Sequence, residues 1–359
     1  MQVEQVEPRG VAFRGAVWEG GTTTPYDGAV VVDGRGRIAA LGAAVDLPEG
    51  LRVFGGAGCW VGPGLVDAHV HLAFGGAELA LRGGVVAVRD LGAPLELARR
   101  WRTDGRPPVG SARVATAGPV VTAPGGYPSR SWGADGFAMF LDGADGAPAL
   151  AAHLAAAGVD LVKVALEPAG GAPVPAPATV RALVDAAHEH GLPVTAHALT
   201  VAMVRRALDA GVDELAHTPV ERLPEDLVDR IAAARVAVVS TLQCFFSGGE
   251  GGAAAANAAA LHRAGVPLRY GTDLGNAGTR PGADPRELDR LADTGLGRLG
   301  ALRAATEGAA RAYGIRAGTG RLTLGEPAAL VLLGGDPLLE PVLWRAPMAV
   351  CSDGVLVLP

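Results

Sequence analysis

Hydrophobic and polar positions recur along this chain with two different periods. From residue 11 to about 60 the pattern is short and alternating. VAFRGAVWEG is followed by AVVVDGRGRIAALG, in which Asp33-Gly34-Arg35-Gly36 reads as a hairpin turn between a Val-rich strand and an Ile-containing one. No helical spacing occurs before Pro63. A β-element this small needs further strands, and the C-terminus offers them: GRLTLGEPAALVLLGG and PMAVCSDGVLVLP repeat the same Gly-punctuated alternation. The two ends, residues 1–60 and 318–359, are expected to build one small β-sandwich domain, with residues 61–317 inserted as a second domain.

The middle alternates strand and helix. Strand candidates are VDAHVHL, VVAVRDLG, RVATAG, DLVKVAL, LPVTAHAL, DELAHTP, RVAVVSTL and PLRYGTD. Amphipathic helices lie between most of them: PLELARRW, APALAAHLAAAG, ATVRALVDAAHEHG, TVAMVRRALDAG, PEDLVDRIAAAR and GAAAANAAALHRAG. Thr200 is placed to cap a helix N-terminus, and Gly158, Gly191, Gly211 and Gly265 to stop helices. Eight β/α units of this kind predict a (β/α)8 TIM-like barrel. The Pro/Gly-rich stretches around residues 106–136 and 167–177 fall where loops at a barrel mouth belong.

Composition narrows the class. The 359 residues are 49% hydrophobic and 19% charged, which describes a packed globular chain. A net charge of −6 argues against nucleic acid or an anionic membrane as partner. No uncharged apolar run approaches the ~18 residues of a membrane span. Cys59, Cys244 and Cys351 are odd in number and far apart, and the N-terminus has no apolar signal core. The expectation is a cytoplasmic protein.

Chemistry concentrates at strand ends. In PGLVDAHVHL, Asp67, His69 and His71 share one face of a strand whose other face is aliphatic. Two imidazoles at i and i+2 can converge on a metal, although ordinary buried histidines would show the same pattern. Later strands carry Lys163, His197, His217 and Asp273, while His153, His188, His190 and His262 fall on helices. Four histidines, an Asp and a Lys facing one cavity need a strong common partner, and a metal centre supplies one. Desolvation lowers the pKa of Lys163 in LVKVA, and a neutral amine can add carbon dioxide to become an anionic ligand. Pairing with Glu167 or Asp160 is the alternative, and spacing alone favours it.

GLVDAHVHL, the Lys in VDLVKVA, VTAHAL, DELAHTP and YGTDLG, in this order, resemble the amidohydrolase superfamily. The likeness is to its imidazolonepropionase-like and metal-dependent Xaa-Pro dipeptidase (prolidase-like) branch. LRGGVVAVRDLG, VDAAHEHGLPVTAHA and the closing GRLTLGEPAALVLLGGDP extend it over nearly the whole chain. The resemblance implies two divalent metal ions, usually zinc, with manganese, iron and cobalt also compatible with these ligands. His69, His71 and Asp273 would hold one, His197 and His217 the other, and carboxylated Lys163 would bridge them. It implies hydrolysis of a C–N bond in a small molecule by a metal-bridging hydroxide, with Asp273 as general base and acid. Asp67 would orient the histidines or serve packing alone.

Departures from the family bear on substrate. The stretches His71 to Arg89 and Thr241 to Asp273 are short, so the pocket is either open or covered by a loop from another subunit of a homo-oligomer. Tyr127 in PGGYPSR stands where the prolidase-like branch commonly has histidine. Tyr127 and Arg130 could hydrogen-bond a substrate carboxylate, and Gln243 and Arg280 are further candidate contacts. A mononuclear deaminase, imidazolone-type hydrolase or lactonase on the same fold is the competing enzyme reading. A catalytically silent scaffold is a third, and the full set of ligand types counts against it.

Overall fold

The computed structural model of the protein describes residues 2–101, 108–312, 315 and 319–358. Five strands open the chain: β1 (Gln2–Gln5), β2 (Val11–Val17), β3 (Tyr26–Val32), β4 (Ile38–Gly42) and β5 (Arg52–Pro63). Ten follow in the middle. They are β6 (Leu65–Val70), β7 (Val85–Asp90), β8 (Arg113–Thr116), β9 (Val120–Thr122) and β10 (Ala138–Phe140). Then come β11 (Val162–Leu166), β12 (Val194–Ala198), β13 (Glu214–Leu215), β14 (Ala237–Val239) and β15 (Leu268–Arg269). Three close the described chain: β16 (Ala329–Leu333), β17 (Ala349–Ser352) and β18 (Val355–Leu358).

The terminal strands join in one eight-stranded sheet ordered β1-β18-β17-β16-β5-β2-β3-β4. Its period of two decides what each face covers. Leu330, Leu332, Ala349, Cys351 and Leu356 pack with Val11, Phe13, Val30 and Val32 in a core of their own. The alternate residues Val331, Leu333, Val350 and Val357 join the main core of the protein instead. The expected domain boundary at 317–318 lies outside the described residues.

The middle strands are parallel, in a three-stranded sheet β6-β7-β8 and a seven-stranded sheet β10-β9-β11-β12-β13-β14-β15. Backbone bonds link the two. Asp160 N–H, just before β11, donates to Thr116 O at the end of β8 at 2.9 Å, and Ala68 N–H on β6 donates to Tyr270 O, just past β15, at 3.0 Å. All eight strand candidates of the middle region are strands. The six expected helices are present at Leu95–Trp101, Ala147–Ala157, Pro177–Glu189, Val201–Ala210, Glu225–Ala233 and Gly251–Arg263. Thr200 caps its helix by accepting from Met203 N–H, and Gly158 and Gly211 end theirs in the left-handed region. Helices at Leu242–Gly248, Pro285–Leu291 and Gly297–Arg303 are additional. Among the described residues, no helix is long and apolar enough to cross a membrane.

Gly64 alone separates β5 from β6, so the terminal sheet runs almost directly into the His-bearing strand. A side chain there would meet Val86 Cγ1 on β7 at 2.2 Å, which is why the position is glycine.

Candidate metal centre

Strand β6 divides as its sequence predicts. Val66 and Ala68 pack with Ala87, Val239 and Ala309, whereas Asp67 and His69 turn to the opposite face, with His71 just beyond the strand. Asp67 is buried and accepts from three donors: the N–H groups of His69 (3.1 Å) and Thr272 (3.0 Å), and the Thr272 hydroxyl (2.5 Å). It thereby fastens β6 to the residue before Asp273. Burial raises its pKa to about 7, against the pull of those bonds. Leu72 N–H donates to Asp90 Oδ2 at 2.7 Å, which fixes the chain immediately after His71.

His69, His71 and Asp273 come together as a buried triad whose ligand atoms all lie within 4.8 Å of one another. His69 Nε2 is 3.3 Å and His71 Nε2 is 3.4 Å from Asp273 Oδ1. His69 Nδ1 lies 2.8 Å from Ala216 O, a pure acceptor, so the proton sits on Nδ1. Burial and the charge of Lys163 push the His69 pKa well below its ordinary value, so the ring is neutral. Its Nε2 lone pair therefore faces a carboxylate oxygen. Both atoms are buried and neither has a hydrogen-bond partner. Two acceptors confronting each other away from water are unfavourable, and a cation between them removes the penalty. These residues fit a divalent ion. Asp273 is held for the purpose in a left-handed conformation (φ 54°), with its N–H donating to His69 O at 2.8 Å.

His197 and His217 stand beside this triad, at the ends of β12 and β13. Their rings meet with His197 Nδ1 3.0 Å from His217 Nε2. The outer nitrogens are engaged elsewhere: His197 Nε2 lies 3.0 Å from Glu167 Oε2, and His217 Nδ1 lies 3.1 Å from Thr241 Oγ1. Lys163 is buried on β11 and shares the cavity lining with His71, His197, His217 and Asp273. Burial brings its pKa down to about 7, with Asp273 opposing and Arg89 assisting. The two partners offered by the sequence are occupied otherwise. Glu167 bonds His197 and Ala169 N–H, and Asp160 accepts from Thr116 N–H.

The loop candidates divide. Tyr127 lines the cavity, its hydroxyl accepting from Trp132 Nε1–H at 3.0 Å, and burial pushes its pKa up to about 12. Arg130 and Arg280 are exposed and outside the lining. The Arg130 guanidinium lies against Gly125, and Arg280 lies beyond a tight turn made by Asn276 and Thr279. Gln243 is buried but outside the lining. Its N–H donates to Glu287 Oε2 at 2.6 Å and its side chain to Ser247 Oγ at 3.2 Å. These three expectations followed sequence proximity to the motifs; loop geometry carried Arg130 and Arg280 elsewhere, and the helix Leu242–Gly248 carried Gln243.

Some residues of the site region escaped the sequence reading. Trp132 lines the cavity, and its ring centroid lies 4.5 Å from that of His71. Cys244 Sγ is 3.7 Å from Asp273 Oδ2. Below the site, Glu214 is clamped between Arg89 and Arg269 and accepts from Thr195 Oγ1 at 3.0 Å, while Arg89 Nε donates to Ala68 O at 2.8 Å. The available signal was a charge inside an aliphatic strand, as in VVAVRD and PLRY.

Buried histidines and a carboxylate gathered at the ends of parallel strands define an α/β protein with a candidate metal centre. The chain belongs to the amidohydrolase family, whose sequence model matches residues 60–355, and it is accordingly a hydrolase of that family. An imidazolonepropionase of Polaromonas sp. is 28% identical over 389 aligned positions, covering 93% of this chain and 90% of that protein. One from Cupriavidus taiwanensis is 54% identical over 65 residues, a match confined to 16% of this chain and 15% of the relative. The solved structure of a candidate prolidase from Bifidobacterium longum superposes with a TM-score of 0.82 at 26% identity, covering 98% of this chain and 95% of that one.

Proposed function

We propose that the protein is a metal-dependent hydrolase that cleaves a C–N bond, in an amide, cyclic amide or dipeptide-like small molecule. The observation that carries this reading is the confrontation of His69 Nε2 with Asp273 Oδ1, two buried acceptors that a cation between them would reconcile. The names of the relatives, imidazolonepropionase and prolidase, agree with it. In this reading the parallel strands close as a (β/α)8 barrel, and residues 1–60 with 318–359 form the companion β-sandwich. The three free cysteines suit a cytoplasmic setting.

His69, His71 and Asp273 would hold one divalent ion, His197 and His217 a second, and carboxylated Lys163 would bridge them, with zinc the ion these ligands suit. The Lys163 amine, neutral above about pH 7, would add carbon dioxide at Nζ and release a proton, leaving an anionic carbamate. When bound, the ions would acidify a water molecule and polarise the scissile carbonyl. Asp273 would accept the proton of the attacking water at Oδ2, because Oδ1 is turned to the two histidines, and would return it to the leaving amine. Tyr127 accepts from Trp132 and so keeps its own hydroxyl proton to donate to substrate. Asp67 would keep His69 and Thr272 in register beneath them.

Metal analysis of the wild type and Lys163→Ala, with carbon-13 bicarbonate labelling of the lysine, tests this assignment. Two ions per chain and a labelled carbamate, both lost in the variant, are expected. One tightly held ion in both proteins would sink the binuclear assignment. A hydrolysis screen over N-acyl amino acids, dipeptides, lactams and lactones then tests the bond type.

A further inference from the structure

We infer that Glu167 is a positioning residue for the second metal position: its carboxylate holds the ring of His197 so that Nδ1, and not Nε2, faces His217. The inference rests on the two-ion reading above and concerns a residue that the ligand set does not include.

Glu167 lies one residue past β11 and four past Lys163. By the strand period, Lys163, Ala165 and Glu167 share a face, and the first two line the cavity. The Glu167 side chain is only 12% exposed. Its two oxygens have separate duties. Oε1 accepts from Ala169 N–H at 2.7 Å, which pins the carboxylate to the turn after the strand. Oε2 lies 3.0 Å from His197 Nε2. A carboxylate only accepts, so the shared proton belongs to His197 Nε2. In a neutral imidazole that leaves a lone pair on Nδ1, and Nδ1 is the atom 3.0 Å from His217 Nε2. Thr241 Oγ1, 3.1 Å from His217 Nδ1, can accept in the same way and free His217 Nε2. The two inner nitrogens then present lone pairs to one point. A carboxylate on the far side of a ligating histidine fixes its tautomer and raises its basicity, and losing such a partner typically costs 10–100-fold in metal affinity.

The test compares wild type, Glu167→Ala and Glu167→Gln, each loaded with zinc and then titrated with a chelator, with bound metal counted by mass spectrometry. Glu167→Ala should release its second ion at a chelator concentration about 10–100-fold lower than wild type, with the first ion unchanged. Glu167→Gln, whose amide oxygen still accepts from Nε2–H, should fall between the two. Nitrogen-15 histidine NMR of the loaded proteins supplies a readout that a merely structural role would not move. His197 should carry its proton on Nε2 in the wild type and in Glu167→Gln. Equal retention of both ions in wild type and Glu167→Ala overturns this inference alone, whereas one ion in the wild type overturns the two-ion reading along with it. If Glu167→Ala fails to fold, the Gln variant and the NMR assignment decide, and a wild-type His197 protonated on Nδ1 overturns the inference.

Discussion

His69 Nε2 and Asp273 Oδ1 confront each other at 3.3 Å as two acceptors with no proton to share. Asp273→Asn should therefore move stability and function in opposite directions. The amide can turn an N–H toward His69 Nε2, so the metal-free variant should gain about 1–2 kcal/mol. The same change removes an anionic ligand and the proton acceptor, so bound metal should fall and kcat drop by about 10² to 10⁴-fold. Chelator-treated protein followed by urea denaturation gives the first result, and metal counting with kinetics the second. A metal-free variant no more stable than wild type would refute the confrontation.

Lys163 predicts a pH dependence with a definite sign. Its pKa is about 7 in the folded, metal-free protein against 10.5 ordinarily. Between these values the unfolded chain binds a proton that the folded one does not, so stability should rise with pH across this window. The full rise is about 5 kcal/mol at about 1.4 kcal/mol per pH unit. Lys163→Met should be the more stable protein at pH 7, with its advantage shrinking toward pH 10. Urea midpoints of the two metal-free proteins at several pH values check this, and a constant difference between them would contradict it.

Arg89 sits with Glu214 and Arg269 in a buried cluster below the site. Arg89→Ala leaves the Ala68 carbonyl without its donor and Glu214 with half of its compensation. Breaking a buried ion pair from one side costs about 3–5 kcal/mol, and thermal unfolding should register a loss of that size. A change below 1 kcal/mol would mean that the cluster carries little of the fold.

Tyr127→Phe keeps the ring against His197, whose centroid is 5.3 Å away, and removes only the hydroxyl. Stability should change by less than about 1 kcal/mol, while kcat/KM falls roughly tenfold through loss of one hydrogen bond to substrate. Unchanged kinetics on a substrate found in the screen would place the phenol outside the reaction.

Much of this could be read from the chain, because alternation and helical spacing are local signals. The His-x-His strand, the later strands carrying Lys163, His197 and His217, and the caps at Thr200 and Gly211 all declare themselves within a few residues. The helix at Pro285–Leu291 carries a local signal of its own, since Asp284, which caps it, precedes the proline at its first position. Side-chain destinations in loops were a different matter. Arg130 and Arg280 stand near the motifs in sequence, yet no period fixes where a loop aims its side chains. Trp132 reaches the site through chain turns that leave no periodic trace. The pairing of Arg89 with Glu214 spans 125 positions and needs the sheet order before it can be seen.

The single glycine between β5 and β6 has a mechanical consequence. Gly64 N–H donates to Ala329 O on β16 at 2.9 Å, and Leu65 N–H donates to Gly84 O at 2.9 Å. The ligand strand is thus clamped at its root by a segment from the far end of the chain, as a blade is held in its handle. Damage to β16, distant from any ligand, would be transmitted along β6 as slack at His69 and His71.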